Sequence, residues 1–356
     1  MKNLDNKKRQ LLFDGTVIPA HPLALDKNRK LDEKRQRALT KYYMDSGAGG
    51  GAVGVHTTQV DIGDKKHGLY QPVLQLASEE VANAGLQRPF LKIAGIAGPT
   101  DQAVREAKIA VDLDYDLGLV SMGGLHGYSE LDLIKRTEKI AETIPIFGFY
   151  LQPAVGGKVL SYNFWKDFAE IPQVVAIKMA PFNRYQTLDV VRAVCNSSRH
   201  NDIALYTGND DNIVVDLLTK FHFEVNGEVR HKEIVGGLLG HWAVWTKKAV
   251  ELLDEIKNIK KHGKSMPADL LTKAVAITDS NAAFFDAANN FKGCISGIHE
   301  VLRRQGLLNG IWCLNPDEQL SPGQNEEITR IYNAYPELND DGFVKENLGR
   351  FLSNDF

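Results

Sequence analysis

The chain has 356 residues, 43% of them hydrophobic and 24% charged, ample apolar content for one large core or a core with an appended subdomain. A net charge of −3, with basic residues scattered and no Lys/Arg stripe carrying interleaved aromatics, excludes an obvious nucleic-acid surface. The three distant cysteines, Cys195, Cys294 and Cys313, form no CxxC pair and so exclude a zinc ribbon and a disulfide framework. No run of about 18 apolar residues offers a membrane span, and the polar opening Met1-Lys-Asn-Leu-Asp-Asn-Lys-Lys-Arg9 has no apolar h-region. A cytoplasmic protein without membrane or nucleic-acid partners is expected. The runs Lys7–Arg9 and Lys257–Lys261 read as solvated helix faces.

In chain order, short apolar runs bounded by turn residues recur at nearly even spacing. They are Thr16–Ala20, Ala52–His56, Phe90–Gly95, Leu117–Ser121, Ile146–Tyr150, Val174–Lys178, Ile203–Tyr206 and Ile234–Leu238. Each is β-branched or aromatic and mostly continuous, as strands buried on both faces are. Between them, stretches of helical period cover Asp32–Ser46, Thr100–Leu113, Glu130–Thr143, Tyr162–Glu170, Tyr185–Ser197 and Asp211–Phe221. Thr100 and Ser161 stand where N-caps are wanted, and Asp101 and Asp211 suit the dipole of helix starts. Eight strands alternating with helices predict a (β/α)8 TIM barrel over residues 1–241. A doubly wound sheet is the alternative, and the even repeat favours closure. After residue 241 the pattern changes to Trp242–Lys261, Pro267–Asn289 and Ile295–Gly306, a helical extension over 242–356.

Gly49-Gly-Gly51-Ala-Val-Gly54 formally satisfies GxGxxG, but it follows a helix and enters a strand, so a helix C-cap and loop is the better reading. His56, Asp61 and His67, and His222, Glu224 and His231, lack compact metal-ligand spacing. His56 is retained because it ends a barrel strand.

Lys178 ends an otherwise apolar strand. Desolvation in a barrel interior disfavours an ammonium and yields the neutral amine that attacks a carbonyl. The opposing reading is a strand-end lysine reaching solvent with its head group. Tyr150, in Tyr150-Leu-Gln-Pro153, lies 178 − 150 = 28 residues earlier, one βα unit, at the matching end of the neighbouring strand. From there a phenol can move protons during carbinolamine formation and carbon–carbon cleavage.

With these residues the chain resembles the dihydrodipicolinate synthase and N-acetylneuraminate lyase family, from about residue 15 to residue 300. Tyr150-Leu-Gln-Pro153 resembles the family's Tyr-x-x-Pro, and Lys178 after Val-x-x-Ile resembles its Schiff-base lysine. Thr57-Thr58 is similar to the carboxylate-binding pair after strand two, and Thr207-Gly208-Asn209-Asp210 to the turn after strand seven. Gly236-Gly237 is similar to the turn of strand eight. The resemblance implies a TIM barrel with a C-terminal helical extension, a homo-oligomer (dimer or tetramer), and no metal or organic cofactor. It implies Lys178 as nucleophile, Tyr150 as acid/base, and Thr57 and Thr58 on the carboxylate of a 2-oxo acid. His56, Gly208, Asn209, Gly236 and His126 complete the expected substrate site.

The departures are specific. Val155 stands where synthases carry an arginine, His56 and Gln59 flank the threonine pair, and the loop after strand four reads Ser121-Met-Gly-Gly-Leu-His126-Gly-Tyr128. There His126 or Tyr128 replaces the family's second tyrosine, and Gly123 and Gly124 leave room for a larger substrate. The expectation is a Schiff-base lyase, aldolase or dehydratase acting on pyruvate or a sugar-derived keto acid, not a true dihydrodipicolinate synthase. The alternatives are a metal-dependent TIM-barrel hydrolase or lyase built around His56, and a non-catalytic barrel that binds a small acid.

Overall fold

The structure, a computed structural model, describes residues 2–263 and 265–353. In chain order its elements are α1 (Asn6–Asp14), β1 (Val17–Pro19), α2 (Glu33–Asp45), β2 (Gly50–Val53), α3 (Tyr70–Asn83), β3 (Leu91–Ile96) and α4 (Thr100–Asp112). There follow β4 (Leu117–Ser121), α5 (Glu130–Ala141), β5 (Ile146–Leu151), α6 (Tyr162–Glu170), β6 (Val174–Ala180), α7 (Arg184–Asn196) and β7 (Ala204–Thr207). Then come α8 (Ile213–Leu218), β8 (Lys220–Val225), β9 (Glu228–Leu239), α9 (Thr246–Lys261), α10 (Asp269–Phe284), α11 (Cys294–Arg304), α12 (Gln324–Ala334) and α13 (Asp341–Phe351). The parallel strands β1–β7 and β9, interleaved with helices, are those of a (β/α)8 barrel, followed by C-terminal helices. All eight expected strands are present.

The chain divides into two compact units. The first comprises residues up to Thr16 together with Leu91–Leu238. Its parallel strands run β3-β4-β5-β6-β7-β9, and their side chains alternate between two faces. One face meets the helices: a Cβ on Gly148 of β5 would lie 2.5 Å from the Phe168 ring of α6. The other face is the interior, where Phe147 and Tyr206 meet edge to face at 5.3 Å. The Tyr206 hydroxyl donates to the Leu12 carbonyl of α1 at 2.8 Å, so α1 packs under this interior. Gly15 (φ +82°) and Gly236 permit the close passage of the two backbones there. A Cβ on Gly236 would sit 2.5 Å from the Thr16 carbonyl oxygen.

Helix starts in this unit follow their caps. The Ser161 hydroxyl accepts from Phe164 N–H at 3.1 Å, as expected, and Ser129 with Asp132 forms a capping box on α5. Thr100 differs: it is the first residue of α4, and Pro99 stands at the cap position with no side-chain bond. The helix expected over Asp211–Phe221 is also shorter, because it stops at Leu218 and the chain turns into a β8–β9 hairpin. The cause is legible in the residues. Lys220-Phe-His-Phe-Glu-Val225 alternates with period two, and Asn226-Gly227, both at positive φ (52° and 82°), makes the tight turn.

The second unit comprises Val17–Phe90 and the chain from residue 239. In it β1 and β2 approach in parallel through Ala20 and Ala52, and α9–α13 supply the helical layer. Its polar hub is the buried Asp340. The carboxylate accepts from the Tyr42 hydroxyl (2.7 Å), Lys247 N–H (3.0 Å) and Gln305 Nε2 (2.7 Å), joining α2, α9 and α11 to the start of α13. Three buried histidines, His21, His241 and His299, also lie here, and burial pushes each of their pKa values down to about 4.

Candidate active site

Lys178 sits in the last half of β6, two residues inside its end, and is 7% exposed. Its strand partners are Phe149 of β5 and Tyr206 of β7, which places it on the interior face. The Nζ lies 4.3 Å from the centroid of the Phe149 ring. Burial pushes the ammonium pKa down to about 8, and the nearby Asp210 carboxylate pulls it part of the way back. At pH 7.5 such a group is neutral in about a quarter of molecules, against about one in a thousand for a free lysine. Gly208, at the end of β7, makes the lysine's path possible. A Cβ there would stand 2.4 Å from Lys178 Cε and 2.9 Å from Ala180 Cβ.

Tyr150 is not brought beside Lys178. Its partner on β6 is Met179, so it belongs to the helix-facing set. There the ring packs against Trp165 of α6 at 5.1 Å, and the hydroxyl accepts from Leu160 N–H at 3.2 Å. The cause is a register shift: Ile146 pairs with Val174 but Phe147 pairs with Ala176, so β6 carries one extra residue. A one-residue shift moves every later side chain to the other face. The 28-residue spacing therefore sets the two residues near one another in height while turning them to opposite sides.

The turn after β7 gathers around a different carboxylate. Asp216, 1% exposed, accepts from the Thr207 hydroxyl (2.7 Å), Asn209 Nδ2 (3.0 Å) and Asn212 Nδ2 (3.0 Å), and pairs with Arg184. Asn209 Oδ1 accepts from Phe182 N–H at 3.1 Å, and Phe182 holds a left-handed φ of 52°. Asn209 thus serves as a clamp on strained backbone just past the lysine strand. Asp210, 5% exposed, is the group at this turn whose charge reaches Lys178. Gly236 serves the backbone passage beside Thr16, and His126 is exposed on the β4–α5 loop. Gly123 opens no space: a Cβ there would meet the Gly156 carbonyl oxygen at 3.0 Å, so the loops after β4 and β5 pack together.

In the second unit, Thr57 and Thr58 form a 3₁₀ turn with His56 directly after β2. The Thr57 hydroxyl donates to the Ala20 carbonyl at 2.8 Å, and the Thr58 hydroxyl to that of His21 at 2.6 Å. Thr58 Oγ1 also accepts from Gly54 N–H (3.0 Å) and Val55 N–H (3.1 Å), so both hydroxyls tie the turn to the end of β1. His56 is half-buried. The glycine run 49–54 enters β2, as its position after a helix suggests. Among the described residues no group of three or more His, Cys, Asp or Glu side chains is arranged to hold a metal ion, and no helix is long and apolar enough to cross a membrane.

Two residues of this site, Phe149 and Asp210, were outside the expected set. Phe149 could be found only from the strand register. Asp210 was visible in the sequence as the last member of the Gly208-Asn209-Asp210 turn.

Fold and site define a (β/α)8 barrel with a buried lysine on the interior face of its sixth strand. No family sequence model and no curated protein sequence matches the chain. Solved structures that share its fold include dihydrodipicolinate synthase from Oceanobacillus iheyensis, with a TM-score of 0.72 at 16% identity over 91% of this chain and 97% of that one. N-acetylneuraminate lyase from Fusobacterium nucleatum matches at a TM-score of 0.69 and 16% identity, covering 91% and 99%. A prophage protein of the dihydrodipicolinic acid synthase family from E. coli K12, in complex with pyruvate, matches at 0.71 and 17%, covering 92% and 99%. The fold expected from the family resemblance is therefore the fold found.

Proposed function

We propose that this protein is a Schiff-base-forming lyase or aldolase acting on a 2-oxo acid, with Lys178 as the nucleophile. One observation carries the reading: an amine buried on the barrel's interior face, near the end of β6, with its pKa lowered to about 8. Fold-sharing proteins include a lyase and a pyruvate complex, which supports the substrate class. The neutral amine attacks the C2 carbonyl, its nitrogen loses a proton as the carbinolamine forms, and water leaves to give the protonated imine. That imine accepts the electron pair of the carbon–carbon bond that breaks, so the chemistry calls for no metal or organic cofactor. In this reading Asp210, not Tyr150, is the group that takes and returns protons at the amine.

Borohydride reduction in the presence of pyruvate should leave a stable adduct on the peptide containing Lys178. Trapping that persists in Lys178→Ala refutes the assignment. A second reading has its own observation. The Tyr150 hydroxyl is occupied by Leu160, so a barrel that binds a 2-oxo acid without turning it over is the alternative. Pyruvate-dependent thermal stabilisation without trapping would select it.

A further inference from the structure

In the first unit, an open crevice of about 530 Å³ lies beside the start of α4 and one face of α5. Thr100, Tyr128, Asp132, Lys135, Arg136 and Lys139 line it. Asp132, Lys135, Arg136 and Lys139 follow the i, i+3, i+4, i+7 pattern that puts side chains along one helical face. Three of those four are cationic, and the fourth, Asp132, is a carboxylate whose Oδ2 accepts from Ser129 N–H and the Ser129 hydroxyl.

Arg136 is the unusual member. It is 1% exposed, yet it makes no ion pair among the described residues. Its Nε donates to the Gly98 carbonyl at 2.8 Å, its Nη1 has only the Met122 sulfur at 3.8 Å, and its Nη2 has no hydrogen-bond partner. Glu106, the carboxylate whose charge reaches Arg136, already accepts from Ala97 N–H (2.8 Å) and Gln102 Nε2 (2.8 Å). A guanidinium is a fork of five donors that is rarely buried without a matching acceptor. The adjoining end of α4 has no side-chain cap, so first-turn N–H groups face the same region. The exposed Lys135 and Lys139 add positive charge at the mouth, although Lys139 also pairs with Glu142 at 2.6 Å.

We propose that this crevice binds a small oxyanion, a phosphate or a carboxylate, through Arg136 with Lys135 and Lys139. An anion with at least two free oxygens is favoured, because a guanidinium can take such groups in bidentate fashion. None of its lining residues is among those placed around Lys178.

The test is titration of the whole protein with inorganic phosphate and, separately, with succinate, at ionic strength held constant with chloride. Heat or thermal shift is the readout. Saturable binding is expected for at least one anion, and the arm that responds says whether phosphate or carboxylate is recognised. The surface double variant Lys135→Gln/Lys139→Gln should weaken that binding by at least about tenfold. Arg136→Gln should abolish it, and Lys178→Ala should leave it unchanged. Absence of any effect beyond chloride overturns the proposal. So does undiminished binding in the double variant, or loss of binding in Lys178→Ala.

Discussion

Lys178→Met should make the protein more stable and chemically silent at once. Methionine fills nearly the same volume without charge, so the packing against Phe149 and Gly208 is kept. What is removed is the cost of holding an ammonium in a desolvated place. Lowering the pKa from 10.5 to about 8 corresponds to about 3 kcal/mol at neutral pH. For a chain of this size that is a rise in Tm of roughly 4 °C. The sign follows from proton counts. Below pH 8 folded and unfolded chains both carry the proton, and the folded state bears the full penalty. Between pH 8 and 10.5 the unfolded chain binds more protons than the folded one, so the wild type gains stability with pH. Above 10.5 both are neutral and the advantage of the variant is gone. Paired urea or thermal unfolding of the two proteins from pH 6.5 to 10.5 measures this. Equal stability at pH 7, or a difference that stays constant with pH, would refute the claim that the amine is buried and activated.

Tyr150→Phe should cost about 1–3 kcal/mol by leaving the buried Leu160 N–H unpaired, while borohydride trapping at Lys178 continues within a few-fold of wild type. A loss of trapping with unchanged stability would put the phenol in the chemistry after all. Gly208→Ala should cost about 1–3 kcal/mol and slow trapping, since its Cβ would stand 2.4 Å from Lys178 Cε; unaltered trapping kinetics would contradict the geometry. Acid should unfold the second unit steeply between pH 6.5 and 4. There the neutral buried His21, His241 and His299 each have a folded pKa near 4, so the unfolded chain takes up to three more protons. The stability is present above pH 6.5 and lost on descent; an unfolding midpoint insensitive to pH in that window would argue against their burial.

The strands were legible because each apolar run is continuous and turn-bounded, and the buried lysine was legible because one charge interrupts such a run. Which face each residue takes was not, since that depends on a single unpaired residue in β6 that no spacing argument reveals. The β8–β9 hairpin was written openly in Asn226-Gly227 and the alternation before it, but the helical pattern expected to reach Phe221 overran it. Gly236 and Asn209 illustrate a different difficulty. Their place in a functional-looking motif does not distinguish contact with substrate from the close backbone passage and the Phe182 clamp they provide here.

The extra residue of β6 has an evolutionary corollary. An alignment keyed to the tyrosine, the proline and the lysine implies a phenol facing the amine, although here the pleat separates them. The barrier between the two arrangements is one codon. Deleting Phe149 would carry Tyr150 into the position paired with Lys178 and turn Leu151 toward Trp165, leaving Gly148 against Phe168. A small indel within a strand, which leaves every motif residue intact, is thus enough to exchange the side chain presented to the lysine.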